Sequence, residues 1–300
     1  MQGNKKLSKY GIIFILPFLI VYLLFNIYPI LRTLYLSFTN FRGYGEATFI
    51  GIQNYSRLVS DDMFIQSFFN TLKIWGLNIV VQLGMALGLT IIFSDIRYKV
   101  KGLSVYRAIF FLPNLIATAS VALLFQRLLD WQYGPVNQIL LNSGVIDKPI
   151  NWFGEPTSAI VIVSLIGAWM WFGNSFIVLM AGVQGISKDY YEAADIDGAS
   201  RLQVLRYITI PLLKPVLIYV GITSLIGGLQ IFDLPFLITD GIGAPRGALN
   251  TMVMYLYNTM FRYSNVGYAA AIAYGIFFII IGFSLVLFKF VNKKEKEVRS

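Results

Sequence analysis

Six long apolar runs organise this chain. They fall at 10–31, 68–93, 108–126, 158–182, 216–238 and 266–288, with polar stretches between them. Each is about 18 to 26 residues long, and at about 1.5 Å per residue a helix of that length crosses a hydrocarbon core of roughly 30 Å. The pattern predicts an all-α, polytopic bundle of six transmembrane helices. Strands are excluded as spans, because open backbone edges are not tolerated in lipid and the short alternating segments of a membrane barrel are missing.

Composition agrees. Apolar residues make up 57% of the chain and charged ones 13%, and the mean hydropathy is +0.67. A soluble domain of 300 residues could not bury that much apolar surface, so the lipid bilayer must be its solvent. Cysteine and histidine are both absent, which excludes a disulfide framework, a thiolate nucleophile and the commonest metal ligand; no metal site is predicted. Lys5, Lys6 and Lys9 precede the first run in the manner of a signal peptide. That run continues to about Leu31 with no small-residue cleavage site, so it reads as a retained helix.

The net charge is +9. In a soluble protein this would suggest nucleic acid; here the basic residues flank apolar spans, where they orient the chain, and no nucleic-acid partner is expected. With a cytoplasmic N-terminus, the inner segments hold 16 Lys and Arg: Lys5, Lys6, Lys9, Arg97, Lys99, Lys101, Arg107, Lys188, Arg201, Arg206, Lys214, Lys289, Lys293, Lys294, Lys296 and Arg299. The outer segments hold 8: Arg32, Arg42, Arg57, Lys73, Arg127, Lys148, Arg246 and Arg262. This bias predicts a multi-pass protein of a cell membrane with both termini cytoplasmic.

The second inner loop, 183–215, is long and patterned. Ser187 to Pro211 reads as two short helices, with capping boxes at Asp189/Glu192 and at Ser200/Gln203 and a turn at Gly198. Pro211 and Pro215 are then expected to bend the chain back into the membrane. Helices this short are marginal alone, so they require a partner surface. Tyr190, Tyr191, Ala194 and Ile196 would supply the apolar contacts, either to the chain's own bundle as a re-entrant turn or to another protein.

At this loop a resemblance emerges. Glu192-Ala193-Ala194, Asp197-Gly198-Ala199, Ile208 and Ile210-Pro211 resemble the EAA motif of permease subunits in binding-protein-dependent ABC importers, with isoleucine where leucine is usual before the proline. Further segments are similar to the carbohydrate-uptake branch, in the class of the maltose permease's larger partner and the glycerol-phosphate and multiple-sugar permeases. They are Phe49 to Tyr55, Asn70-Thr71, Arg107 to Pro113, Gly134 to Asn137, Gln230 to Asp233, Tyr257 to Phe261 and Gly267 to Ala271. The likeness covers nearly the whole chain; Gly241 to Pro245 departs from a tighter Gly-Gly-Pro.

The resemblance implies the type I ABC importer permease fold, divided into a first helix and outer loop (1–67), a permease core of five spans (68–291) and a basic tail (292–300). It implies a second, similar permease subunit, two ATPase subunits and an extracytoplasmic solute-binding protein, in a bacterial or archaeal membrane. Tyr191, Glu192, Ala193, Ala194, Asp197, Gly198 and Pro211 would couple the chain to an ATPase, with Glu192 paired to a basic residue there. The chain has no Gly-x-x-x-x-Gly-Lys-Ser/Thr loop, so it is expected to bind no cofactor, with ATP and magnesium on the ATPase subunits, and to be no enzyme itself.

A saccharide is bound by amides, hydroxyls and aromatic faces. Polar residues deep in the spans are the candidates: Asn114 with Thr118, one turn apart on the third; Gly167, Trp171 and Asn174 on the fourth; and Thr223, Gly227 and Gln230 on the fifth. Aligned through the flanking motifs, these positions correspond to those that line the sugar site in the maltose permease. The competing reading of each is helix–helix glue. An ion-coupled transporter would place ionisable residues at mid-membrane, and an intramembrane enzyme would need paired carboxylates, His or Cys; neither pattern is present. A phosphate-bearing solute such as glycerol phosphate would favour central Arg or Lys, and none is found there.

Overall fold

The computed structural model describes residues 3–93 and 101–299, with side chains described over 13–93 and 101–289. Lys5, Lys6, Lys9, Arg97, Lys99 and the cations of the terminal tail lie outside the described side chains. Fourteen α-helices are described: α1 Gly3–Tyr22, α2 Tyr28–Ser37, α3 Gln53–Val59, α4 Asp62–Phe93, α5 Leu103–Leu115, α6 Thr118–Leu128, α7 Pro135–Asn142, α8 Pro156–Gln184, α9 Lys188–Ile196, α10 Arg201–Val204, α11 Ile210–Leu229, α12 Asp233–Thr239, α13 Met252–Tyr257 and α14 Val266–Arg299. Among the described residues the only β pairing is an isolated bridge between Thr39 and Phe49.

Five helical stretches are long and apolar enough to span a membrane: Ile13–Ser37, Asp62–Phe93, Pro156–Gln184, Arg201–Thr239 and Val266–Lys289. The sixth, predicted at 108–126, is two helices, α5 and α6, that meet at 87°. Ile116 and Ala117 between them are extended, with ψ of 132° and 131°. The break lets the halves pack on different partners, α5 against α8 and α6 against α12.

The fifth span differs from expectation at both ends. It starts at Arg201, because α10 runs into α11 through a π turn at Leu205–Thr209. Pro211 has no N–H to return to the preceding turn, and the π turn in front of it absorbs the mismatch with an Ile210 N–H bond to the Leu205 carbonyl. The same device precedes Pro29, with a π turn at Leu23–Ile27. Neither Pro211 nor Pro215 therefore turns the chain back, and Pro215 lies inside α11. Toward its C-terminal end the span breaks at Gln230–Phe232 before α12.

The chain forms two compact units, Met1–Asp61 with Leu256–Phe277, and Asp62–Tyr255 with Phe278–Ser300. In the first, the loop between α2 and α3 is tied down by Asn54, whose amide donates to the Ser37 and Thr39 carbonyls at 2.9 and 2.8 Å. The fully buried Tyr268 donates its hydroxyl to Asp61, and the Arg57 guanidinium lies 3.9 Å from its ring centroid. The apolar window of the Ile13–Ser37 span has no buried residue, so its surface is left to lipid or to another subunit.

In the second unit α8 is the central helix, apolar on every side and the most buried of the spans. One cluster joins it at Val163, Ile166 and Met170 to Ile74, Val121, Leu234 and Ile238. A second joins Phe176, Leu179 and Met180 to Ala86, Leu213 and Val220. The buried face of α4 repeats every four residues through Asn70, Ile74, Asn78, Gln82, Ala86 and Thr90.

Candidate functional site

The 183–215 loop is built as a hairpin of α9 and the α10–α11 helix. The cap at the start of α9 is Ser187, not Asp189: the Ser187 hydroxyl accepts the Asp189 N–H at 3.3 Å and donates to the Asp189 carboxylate at 3.0 Å. Ser187 wins because it is the last extended residue before the helix, while Asp189 is already inside it. The predicted box at Ser200 and Gln203 is present, with the Gln203 carbonyl 2.7 Å from the Ser200 N–H.

Gly198 sits at φ +70°, the left-handed position that ends α9. The Gly198 and Ala199 N–H groups close back onto the Asp195 and Ala194 carbonyls at 3.2 and 2.9 Å. Those two bonds are a Schellman ending, which satisfies carbonyls that a helix terminus otherwise leaves open.

The hairpin sorts the coupling candidates into two faces. Tyr191 and Ala194 are buried against the bundle, and the Tyr191 hydroxyl lies 3.3 Å from that of Thr209. Glu192, Ala193, Asp197, Gly198 and Pro211 are exposed. Around them stand large uncovered side chains: Ile196 is 87% exposed, Leu202 72%, Tyr207 68% and Tyr190 55%. Between the two arms lies an open cleft of about 610 Å³, lined by residues that include Ala193, Gly198, Val204 and Tyr207. An apolar, partly acidic surface with a preformed cleft is suited to docking against another protein.

The span candidates divide differently. Trp171 and Asn174 on α8, Thr223 and Gly227 on α11 and Gln230 at its C-terminal cap are all exposed, so each helix carries an uncovered polar strip. Gly167 is not on the α8 strip. It is buried, and a side chain there would strike the Asn78 amide, which donates to the Ser164 carbonyl at 3.3 Å. The shared face of Asn114 and Thr118 is also lost: Asn114 lies in the last turn of α5, Thr118 begins α6, and the 87° break lies between them. Asp233 is the first residue of α12, where its charge complements the helix N-terminus.

Sequence reasoning missed the residues that hold these strips in place. Gln82 of α4 donates to the Ser175 hydroxyl at 2.7 Å and accepts from the Ser224 hydroxyl at 3.4 Å, which joins α4, α8 and α11. Asn70 donates to the Gly247 and Asn250 carbonyls at 2.8 and 3.2 Å, and the Thr71 hydroxyl accepts the Met252 N–H at 3.0 Å. Thr251 in turn donates to the Ile231 carbonyl at 2.7 Å, at the break in the fifth span. The four-residue spacing of Asn70, Asn78 and Gln82 within an apolar run was the available signal.

Residues 83–294 match the family described as the binding-protein-dependent transport system inner membrane component. The chain belongs to that family. It is a transmembrane, non-catalytic permease subunit of the ABC importer class. This permease is 34% identical over 298 residues to the lactose transport system permease protein of Rhizobium radiobacter, which covers 98% of this chain and 99% of that one. It is 31% identical over 287 residues to the arabinooligosaccharides transport system permease protein of Bacillus subtilis, covering 95% of this chain and 89% of that protein. Its fold matches a chain in the crystal structure of a bacterial ABC transporter involved in the import of the acidic polysaccharide alginate, with a TM-score of 0.81, 24% identity and full coverage of both chains. The all-α permease fold and the importer-subunit assignment made from the EAA motif therefore hold.

Proposed function

We propose that this permease carries a neutral saccharide, above all an oligosaccharide, across the membrane after an extracytoplasmic solute-binding protein delivers it. The observation that carries the reading is the pair of uncovered strips, Trp171 with Asn174 and Thr223 with Gln230. They offer an indole face, amides and a hydroxyl, and no Asp, Glu, Lys or Arg occurs in 156–184 or 215–232. These are the groups that hydrogen-bond sugar hydroxyls and stack on pyranose faces. The sugar-named relatives that align over nearly the full chain support the same solute class.

The transporter is completed by a second, similar permease and two ATPase subunits that hold ATP and magnesium. The exposed face of α9 seats in a groove of one ATPase, Glu192 meets a basic residue there, and Tyr191 and Ala194 anchor the hairpin to its own bundle. Movement of that hairpin passes along the continuous α10–α11 helix into the spans. Both termini lie in the cytoplasm, by the 16 to 8 excess of Lys and Arg on that side.

The test is uptake into proteoliposomes that hold the complete transporter, with lactose, trehalose and an arabino-oligosaccharide as probes. Trp171→Ala and Gln230→Ala are expected to change the preference among transported sugars while the assembled complex keeps its abundance. Unchanged uptake kinetics for both variants would remove the strips from the pathway. The permease alone is expected neither to hydrolyse ATP nor to transport.

A further inference from the structure

Three helices meet at one buried side chain in the second unit. Gln82 is 6% exposed and lies midway along α4. Its amide nitrogen donates to Ser175 of α8 at 2.7 Å, and its carbonyl accepts from Ser224 of α11 at 3.4 Å. Ser175 directly follows Asn174, and Ser224 directly follows Thr223. Successive residues of a helix point about 100° apart, so a bond to one fixes the rotation of the other. The buried edge of each strip is thus held by the same side chain whose two ends reach both helices.

The two bonds are unequal. The short one ties α4 to α8, which is central and closely packed. The long one reaches α11, whose helix continues through the π turn to the cytoplasmic hairpin at Arg201. A second contact lies one turn along: Gly228 of α11 receives the Trp75 indole of α4, and a side chain at 228 would collide with that ring. The α4–α11 interface is therefore a seated contact with one adjustable polar tie beside it.

We infer that Gln82 is a positioning residue for the solute pathway: it sets the spacing and rotation of the Asn174 strip on α8 relative to the Thr223 strip on α11. The inference rests on those strips lining the pathway. Gln82 touches no solute itself. It acts as the fixed post from which α11 is released and to which it returns as the cytoplasmic hairpin moves.

This chain has no cysteine, so spin labels placed at Asn174→Cys and Thr223→Cys before assembly into the complete transporter are the only labels it carries. With Gln82 intact, a narrow distance distribution is expected. Gln82→Leu, close in volume to glutamine, and Ser224→Val, which has the shape of Ser224→Thr without its hydroxyl, both remove the tie and are expected to broaden or shift it, whereas Ser224→Thr, which keeps the hydroxyl, is expected to leave it narrow. In unlabelled transporter the same two variants are expected to change the ratio of uptake rates for lactose and an arabino-oligosaccharide by about threefold, the scale of one interhelical hydrogen bond in a membrane.

A distance distribution that is identical in Gln82→Leu, Ser224→Val and the parent overturns the inference. So does an equal fall in uptake of both sugars that follows the amount of assembled complex. Thr223→Val and Asn174→Ala separate the underlying reading. If they leave the sugar ratio unchanged while the labels show a shifted spacing, the strips do not line the pathway and the tie is only structural. If they change the ratio and the Gln82 variants do not, the pathway stands and the positioning role falls.

Discussion

The third and fifth spans each contain prolines near a point where the chain changes course, and they resolve them in opposite ways. In the fifth, a π turn at Leu205–Thr209 precedes Pro211 and the helix continues from Arg201 to Leu229. In the third, the helix that holds Pro113 ends at Leu115 and the next starts at Thr118, turned by 87°. The difference follows from partners. The α5 backbone is drawn so close to α8 that a side chain at Gly173 would collide with the Phe110 carbonyl, whereas α6 packs on α12. No single straight helix can serve both. From Arg201 to Leu229 the fifth span has one task, to connect the hairpin to the bundle, and a continuous rod does that. One span runs unbroken from the hairpin into the bundle, and the other divides the packing.

That contrast can be broken most severely at Gly198. Proline there cannot adopt φ +70°, since its ring holds φ near about −65°, and the misfit costs about 3 kcal/mol or more. Gly198→Pro is expected to leave the permease in the membrane while solute-stimulated ATP hydrolysis by the complete transporter is lost. Normal stimulation would show that the hairpin does not transmit.

The next effect falls on the third span. Gly173→Ala pushes α5 off α8, an overpacking worth about 1–3 kcal/mol, and is expected to lower the thermal midpoint of the purified protein in detergent. Gly198→Ala sharpens the comparison, because nothing lies within 4 Å of the added carbon. Its penalty is backbone conformation alone, about 1 kcal/mol. Stimulated hydrolysis should weaken while the thermal midpoint moves less than in Gly173→Ala.

Ser200→Ala removes the capping hydroxyl at the start of the rod and is expected to lose about 1 kcal/mol, read as faster amide exchange over 201–205. The smallest effect is expected from Tyr191→Phe, which deletes one hydroxyl contact to Thr209 at 3.3 Å and keeps the packed ring. A loss of about 0.5–1.5 kcal/mol should leave sugar preference unchanged.

The two regions were unequally readable. The hairpin was legible because its signals are local: Ser200 with Gln203, Gly198 and the EAA pattern each act within a few residues. The error there, Asp189 in place of Ser187 as the cap, lay between two acceptors two positions apart. In the spans, Trp171, Asn174, Thr223, Gly227 and Gln230 did emerge on uncovered faces. Asn114 and Thr118 did not share one, because helical spacing predicts a common face only while the helix stays unbroken.

The sequence by itself determined that this chain lives in a membrane, where its apolar runs lie, and how the hairpin at 187–211 turns. Those properties depend on transfer to lipid and on hydrogen bonds within one turn, which a linear pattern contains. Only the tertiary structure decided where the third span breaks, why Gly167 faces Asn78, and that the stripe of Asn70, Asn78 and Gln82 looks inward. In a span that is apolar on all sides, no water contrast marks the inner face. Packing against neighbouring helices alone chooses it.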